Sequence, residues 1–401
     1  MLAAAGAVRY LRAVIRVFAW SVAGLLLLGS CGSDPAAPVD PLDAYVLEEM
    51  ELGGLPGLAA VLVVGGEVVW EGHYGFADID SGRAVDAHSL FPVASISKIF
   101  TAFPLLIAAE RGELDLDAPI DQLAFPLTHP DAPEAAITTR MLLTHTSGYR
   151  DDFLKLGQTI YDGDPPIDLE TFARGYTQPS GEWYGANNFG RPPGTDYDYC
   201  NAGFAIAAHV AEAVWDEDFR SLTQRLAFEP LGFEGTGWLL SDVDADQLAL
   251  PYSYNSGRDT QTELSNQTGA HYPAGGFRAS TSDLVRFVQM FLADGVTADG
   301  TRVLSSETIA AMSTPQVPGL SGRQALVLYE QTYNGRTYLG HSGSTFGGSA
   351  RLLMRPSEDS ALIVLTNSDA YVRDRFGLSD GRDALERIIA RLENELIART
   401  P

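Results

Sequence analysis

The stretch Pro92-Val93-Ala94-Ser95-Ile96-Ser97-Lys98-Ile99-Phe100 constrains this chain more than any other. It opens an apolar segment that carries Phe100, Phe103, Leu105, Leu106 and Ile107 before stopping at Gly112, and the pattern predicts a helix packed against a sheet. Pro104 lies inside it and removes one backbone hydrogen bond, at a cost of roughly 3 kcal/mol in a regular helix, so a kink or two abutting helices are expected there. With a helix starting near Ala94, Ser95 and Lys98 share one face about a turn apart. Unpaired N–H groups at a helix N-terminus favour negative charge on a reacting oxygen. A serine hydroxyl becomes a nucleophile when a neighbouring base takes its proton, and an amine is such a base if burial lowers its pKa. Taken alone, the same residues also fit a helix cap beside a solvated lysine, because short motifs recur by accident.

The two ends of the sequence read as strands and helices around a less regular middle. Leu42 to Met50 reads as a helix ending at Gly53-Gly54, and Leu58 to Val64 with Val68-Val69-Trp70 reads as a hairpin turning at Gly65-Gly66. In the C-terminal part, Arg336 to Leu339, Ser349 to Met354 and Ala361 to Leu365 read as strands. Ala384 to Ile397 closes the chain as a helix with Leu385, Ile388, Ile389, Leu392 and Leu396 on one stripe. Between them, Thr138 to Leu143, Ala202 to Val214, Phe219 to Leu226 and Ser282 to Leu292 have helical spacing. Residues 150–196 show no clear period, and irregular chain of that length usually forms functional loops.

Residues 1–30 read as a signal peptide: Arg9, Arg12 and Arg16 precede an apolar run from Val17 to Leu28 that is too short for a comfortable span. Leu28-Gly29-Ser30-Cys31 resembles a bacterial lipobox, which makes Cys31 the lipidated first residue and residues 31–41 a Pro-rich tether. Ordinary cleavage with a free Cys31 is the alternative. Lipidation leaves Cys200 alone, so no disulfide is expected. The expected location is the cell envelope: the outer membrane of a two-membrane cell, since residue 32 is Gly rather than Asp, and otherwise the outer face of the cell membrane. A net charge of −25, about −28 after removal of the leader, argues against nucleic acid and anionic membrane surfaces as partners.

Two further constellations stand out. In Pro193-Gly194-Thr195-Asp196-Tyr197-Asp198-Tyr199-Cys200-Asn201, an extended backbone points Tyr199 and Asn201 the same way and Cys200 the other. A phenol relays protons if cations lower its pKa, and an amide both donates and accepts. Gly340-His341-Ser342-Gly343-Ser344 follows a predicted strand, and its small residues let a substrate backbone lie along the edge. Separately, each also fits an ordinary turn.

Together the three segments resemble the serine β-lactamase and penicillin-binding-protein-like family, whose boxes S-x-x-K, Y-x-N and K/H-[TS]-G come in this order. Here they are Ser95-Ile96-Ser97-Lys98, Tyr199-Cys200-Asn201 and His341-Ser342-Gly343. The flanks agree: Glu110-Arg111-Gly112-Glu113-Leu114, Leu142-Leu143-Thr144-His145-Thr146-Ser147-Gly148, Pro193-Gly194, Pro230-Leu231-Gly232 and Ala274-Gly275-Gly276. The resemblance covers about residues 42–400. It implies a mixed α/β fold of β-lactamase/transpeptidase type, with an antiparallel sheet flanked by helices (about 42–113 and 275–401) and an inserted, mainly helical part (about 114–274).

The resemblance also implies roles. Ser95 is the acylated nucleophile, Lys98 its activating partner, Tyr199 the base and proton shuttle, and Asn201 a ligand for a substrate amide. The backbone N–H groups of Ser95 and Ser344 form an oxyanion hole, while His341, Ser342, Gly343 and Ser344 line the substrate's path. The expected reaction is acyl transfer to water on a small ester, amide or β-lactam, by a monomer that uses no metal or other cofactor. Cys200 stands where Ser or Ala is common, and His341 where most β-lactamases carry Lys. The latter points toward the DD-peptidase, D-aminopeptidase and esterase branches, and no glutamate sits in a recognisable deacylation loop. A class C-type β-lactamase and a non-catalytic penicillin- or peptidoglycan-binding lipoprotein remain alternatives, as does an α/β-hydrolase with Gly340–Ser344 as its nucleophile elbow.

Overall fold

Eight consecutive small or branched residues form β1 (Gly57–Val64), and the first seven are buried because the strand lies inside a sheet covered on both faces. The computed structural model describes residues 40–400, apart from residues 376 and 379; the leader and Cys31 lie outside the described residues. Gly65 and Gly66 both take positive φ (61° and 74°), as a two-residue hairpin turn requires, and deliver the chain into β2 (Glu67–Asp78). The sheet is completed by β3 (Arg83–Ala84), β4 (Tyr329–Tyr333), β5 (Arg336–Thr345), β6 (Gly348–Arg355) and β7 (Ser360–Thr366). Its order is β4-β5-β6-β7-β1-β2-β3 and every pairing is antiparallel. Leu58 pairs with Thr366 and Val64 with Ser360, so the two ends of the sequence close one sheet.

The period-2 alternation sends Leu58, Ala60, Leu62, Leu353, Leu362 and Val364 to one face. There they meet α1 (Pro41–Gly53) and the predicted stripe of α6 (Asp380–Arg399). Ala59, Val61, Val63, Leu352, Ile363 and Leu365 face the other way. Their cover is α2 (Ser97–Glu110), α5 (Thr281–Leu292) and the region between, which includes α3 (Asn201–Trp215) and α4 (Phe219–Thr223). The antiparallel sheet, flanking helices and inserted helical part are those expected from the sequence.

Three details differ. Ser95 does not sit in the α-helix; it lies in a single 3-10 turn, Ala94–Ile96, that feeds α2. Helix α2 is also continuous through Pro104 rather than divided. Burial from Ser97 to Ala108 holds it, and the Pro104 carbonyl accepts from Trp215 Nε1 at 3.0 Å. Within 150–196 the chain builds short pieces, among them the helices Phe153–Gly157 and Leu169–Thr177 and a three-residue strand, Ile160–Asp162, paired with Gln267–Gly269.

Candidate active site

The turn before α2 is held in an uncommon conformation. Ala94 has φ 48°, in the left-handed region that costs a non-glycine residue about 1 kcal/mol. Ser97 fixes it from below: its Oγ donates to the Ala94 carbonyl and accepts from Phe277 N–H at 3.0 Å. Strand β5 closes against the same turn, and only a glycine fits there. A Cβ on Gly343 would stand 2.1 Å from the Val93 carbonyl oxygen. The turn and the strand together bring Ser95 and the third box to one cleft.

Lys98, the second residue of α2, is fully buried. Its Nζ lies 3.0 Å from Ser95 Oγ, 2.7 Å from Asn201 Oδ1 and 2.6 Å from the Ala274 carbonyl oxygen. Burial lowers its pKa to about 7, against the opposing pull of Asp151 and Cys200. A neutral amine has two N–H donors and one lone pair. The Ala274 carbonyl can only accept, and so can Asn201 Oδ1, because Asn201 Nδ2 is fixed by donating to Asp151 Oδ2 at 2.7 Å. The two donors therefore go to those oxygens, and the lone pair is left for the Ser95 hydroxyl proton.

Asp151 organises this arrangement from the N-terminus of α3. Its carboxylate accepts from Asn201 N–H (2.8 and 3.0 Å) and Ala202 N–H (3.0 Å), as well as from the Asn201 amide. Cys200 takes an extended conformation just before the helix, and its buried Sγ accepts from Gly203 N–H. Tyr199 packs under His145, with ring centroids 4.2 Å apart, and Lys98 Nζ stands 4.9 Å from the Tyr199 ring centre. His145 Nδ1 accepts from Cys200 N–H, and burial, with Lys98 nearby, keeps its pKa well below the usual value. Burial also raises the Tyr199 pKa, which a hydrogen bond with Ser95 only partly offsets. Tyr199 is therefore a phenol in the resting site.

His341 is buried at the edge of the same cleft. Its Nδ1 donates to the Ser342 carbonyl at 2.7 Å, which leaves Nε2 as an unprotonated nitrogen with no hydrogen-bond partner among the described residues. Burial and then Lys98 bring its pKa down to about 3, so it is neutral throughout the neutral range. Ser342 is tied to the next strand: its Oγ lies 2.6 Å from Tyr329 Oη, and its N–H donates to the same oxygen at 3.3 Å. That N–H points toward the β4 side, where β4 ends opposite Gly340. By the two-residue repeat, the Ser344 N–H faces the same edge, beyond the end of β4. The nucleophile-elbow reading of Gly340–Ser344 fails here. Ser342 lies in mid-strand opposite Arg351, and the chain turns into β6 instead of a helix.

Ser95, Tyr199, Asn201, His341, Ser342 and Ser344 all line one cleft of about 640 Å³. Lys98 and Gly343 support it from beneath. Sequence reasoning missed Asp151 and Tyr329, and quoted His145 and Ala274 only within flanks. It also missed His271 in the cleft wall. Thr159 Oγ1 donates to the Leu156 carbonyl, so its contact with His271 Nδ1 (3.2 Å) makes the imidazole the donor. Among the described residues no group of His, Cys, Asp and Glu is placed to hold a metal ion, and Cys200 is a free thiol.

A family model described as Beta-lactamase matches residues 42–385. "Penicillin-binding protein 4" of Amycolatopsis lactamdurans is 28% identical over 328 residues, spanning 78% of this chain and 81% of that protein. "Esterase EstB" of Burkholderia gladioli is 28% identical over 225 residues, spanning 55% of this chain and 56% of that protein. Among solved structures, a D-amino acid amidase from Ochrobactrum anthropi SV3 superposes with a TM-score of 0.65 at 22% identity, covering 89% of this chain and 99% of that one.

Proposed function

The chain belongs to the beta-lactamase family, and from that premise we propose that it hydrolyses small uncharged esters or amides through an acyl-enzyme on Ser95. The observation that carries this is the three-way contact of Lys98 Nζ, with two acceptors on its donors and Ser95 Oγ at 3.0 Å on its lone pair. Lys98 takes the Ser95 proton as Oγ bonds to the substrate carbonyl carbon, and the carbonyl oxygen becomes an anion. The backbone N–H groups of Ser95 and Ser344 hold that anion. As the tetrahedral species collapses, the leaving group departs with a proton passed from Lys98 through the Tyr199 hydroxyl. Water then enters by the reverse proton route and frees the acid and Ser95. Asn201 Nδ2 is held by Asp151, so its amide steadies Lys98 as well as facing the substrate.

The substrate class follows from His341. A lysine in that place offers a fixed positive charge to a substrate carboxylate, whereas a buried neutral imidazole does not. Carboxylate-anchored β-lactams are therefore poor substrates and uncharged esters or small amides better ones, while D-Ala-D-Ala-type peptides, which end in a carboxylate, bind without a strong anchor. Similarity to a protein named as an esterase is in keeping with this. The test is a panel of short nitrophenyl esters, a chromogenic cephalosporin and D-Ala-D-Ala peptides. Ester turnover with slow release of bound cephalosporin is expected, and efficient cephalosporin hydrolysis without ester turnover overturns the reading.

The envelope location belongs to the same proposal. Cys31 carries lipid and tethers a monomeric domain outside the cytoplasm. Intact-mass analysis and membrane fractionation test it; an unlipidated, freely soluble form from wild-type cells contradicts it.

A further inference from the structure

Large hydrophobic side chains that stay in water on a folded surface are informative when they gather in one place. Among the described residues, three such side chains line the mouth of the catalytic cleft: Phe153 (69% exposed), Ile160 (39%) and Phe346 (57%). Leu154, beside Phe153 in sequence, is 82% exposed. Each of the three sits on braced backbone. Phe153 opens a short helix whose first N–H groups are capped by Asp152, at 3.0 Å to Leu154 and 3.3 Å to Lys155. Ile160 pairs with Gly269 in the short ladder. Phe346 lies in the turn between β5 and β6, two residues beyond Ser344, where Gly347 at φ 70° packs on Pro251. These side chains are displayed at fixed positions beside the reacting groups, so a ligand need not pay to order them.

Two arginines line that cleft: Arg375, which is exposed at its mouth, and Arg278, which is engaged within the wall. Arg278 donates to the Trp238 and Gly276 carbonyls at 3.1 and 3.0 Å and is 5% exposed. At Arg278 a substrate carboxylate would have to displace those bonds, whereas an apolar group needs only to cover Phe153, Ile160 and Phe346.

We propose that the substrate carries an extended apolar group, alkyl or aryl, which lies across Phe153, Ile160 and Phe346 while its ester or amide carbonyl sits at Ser95. This rests on the hydrolase reading and adds the substrate class. Full burial of a methylene stabilises by about 0.8 kcal/mol, close to a fourfold change, and contact on one side of an open cleft gives about half of that energy. The structure thus assigns the enzyme a gain in kcat/KM of about twofold per methylene.

The test uses two ester series below their micelle concentrations: nitrophenyl acetate to octanoate, and methyl to octyl acetate. One varies the acyl side and the other the alcohol side. The wild-type protein should show, in at least one series, a rise from shortest to longest of about sixtyfold on the acyl side or about a hundredfold on the alcohol side. Phe153→Ser combined with Phe346→Ser should cut that ratio to below about tenfold, while Leu52→Ser, exposed on α1, should leave it unchanged. A wild type that hydrolyses acetate with no rise in either series overturns the inference, as does an unchanged ratio in the double variant. Absence of turnover on every ester, acetate included, overturns the hydrolase reading itself.

Discussion

On one face of the sheet, α1 and α6 cover Leu58, Leu62, Leu353, Leu362 and Val364 with Val46, Met50, Ile388, Ile389 and Leu392, a contact made almost wholly of hydrocarbon. On the other face, the same strands and α2 meet a seam that carries a buried lysine, two buried histidines and two non-glycine residues at positive φ, Ala94 and His145. The first face follows the rules by which sequences become stable. The second breaks several of them within a few residues of Ser95. Burying Lys98 costs stability, because the unfolded chain holds its proton at pH 7 while the folded chain holds it only half the time; for a pKa moved from 10.5 to about 7 this is about 4 kcal/mol. His341 Nε2 has no partner among the described residues, and Ala94 is held where glycine is at home. The difference teaches where catalytic chemistry is stored: in a seam that the hydrocarbon face is stable enough to support.

Substitutions at Lys98 should break that comparison most sharply. Lys98→Met should lower kcat/KM more than a thousandfold while Tm shifts by only a few degrees. The relieved desolvation of about 4 kcal/mol is offset by two acceptors left without donors, at about 1–3 kcal/mol each. Between about pH 7 and 10.5 the unfolded wild-type chain binds one more proton here than the folded chain, so wild-type stability rises with pH by up to about 1.4 kcal/mol per unit. Denaturant titrations across that window should show the slope reduced by this amount in Lys98→Met.

Asp151→Asn comes next. It removes the carboxylate that holds Asn201 and caps α3, and kcat on a short ester should fall about ten- to a hundredfold with a smaller change in KM. The pH profile is milder. With Lys98 proposed to accept the Ser95 proton in its neutral form, kcat/KM on an uncharged ester should rise with pH to a plateau above about 8, with about one-tenth of the plateau left at pH 6. His341, with a pKa brought down to about 3, adds no inflection in that range, so carboxylate-bearing and uncharged substrates should share one profile.

On the hydrocarbon face the sign reverses. Ile388→Ala should cost about 2–5 kcal/mol and lower Tm, yet change kcat/KM less than twofold at temperatures where the protein stays folded.

The hydrocarbon face was also the more legible in sequence. The Leu58–Val64 run and the five-residue stripe of α6 are periodic signals set by local geometry, and both appear where the pattern puts them. The three boxes were legible as an ordered set, and the fold brings Ser95, Tyr199, Asn201 and His341 to one cleft. Asp151 was not, because it meets Asn201 from fifty residues away, out of an aperiodic stretch. The Ala274 oxygen is a backbone atom with no residue type to mark it. Tyr329 reaches Ser342 across a strand pairing that no local pattern specifies. The Ile160–Asp162 strand is too short to show a period. His145 stood in a recognised flank, but its role depends on stacking against Tyr199 in three dimensions.

The most direct test of the account is the identity of the acylated residue. The protein is mixed with a slowly hydrolysed ester or a phosphonate, quenched in acid during turnover and digested for peptide mass spectrometry. The account predicts one added acyl or phosphonyl group on Ser95 in the wild type and none in Ser95→Ala, which should also lose turnover. A label on Ser342, or unchanged hydrolysis by Ser95→Ala, would contradict it.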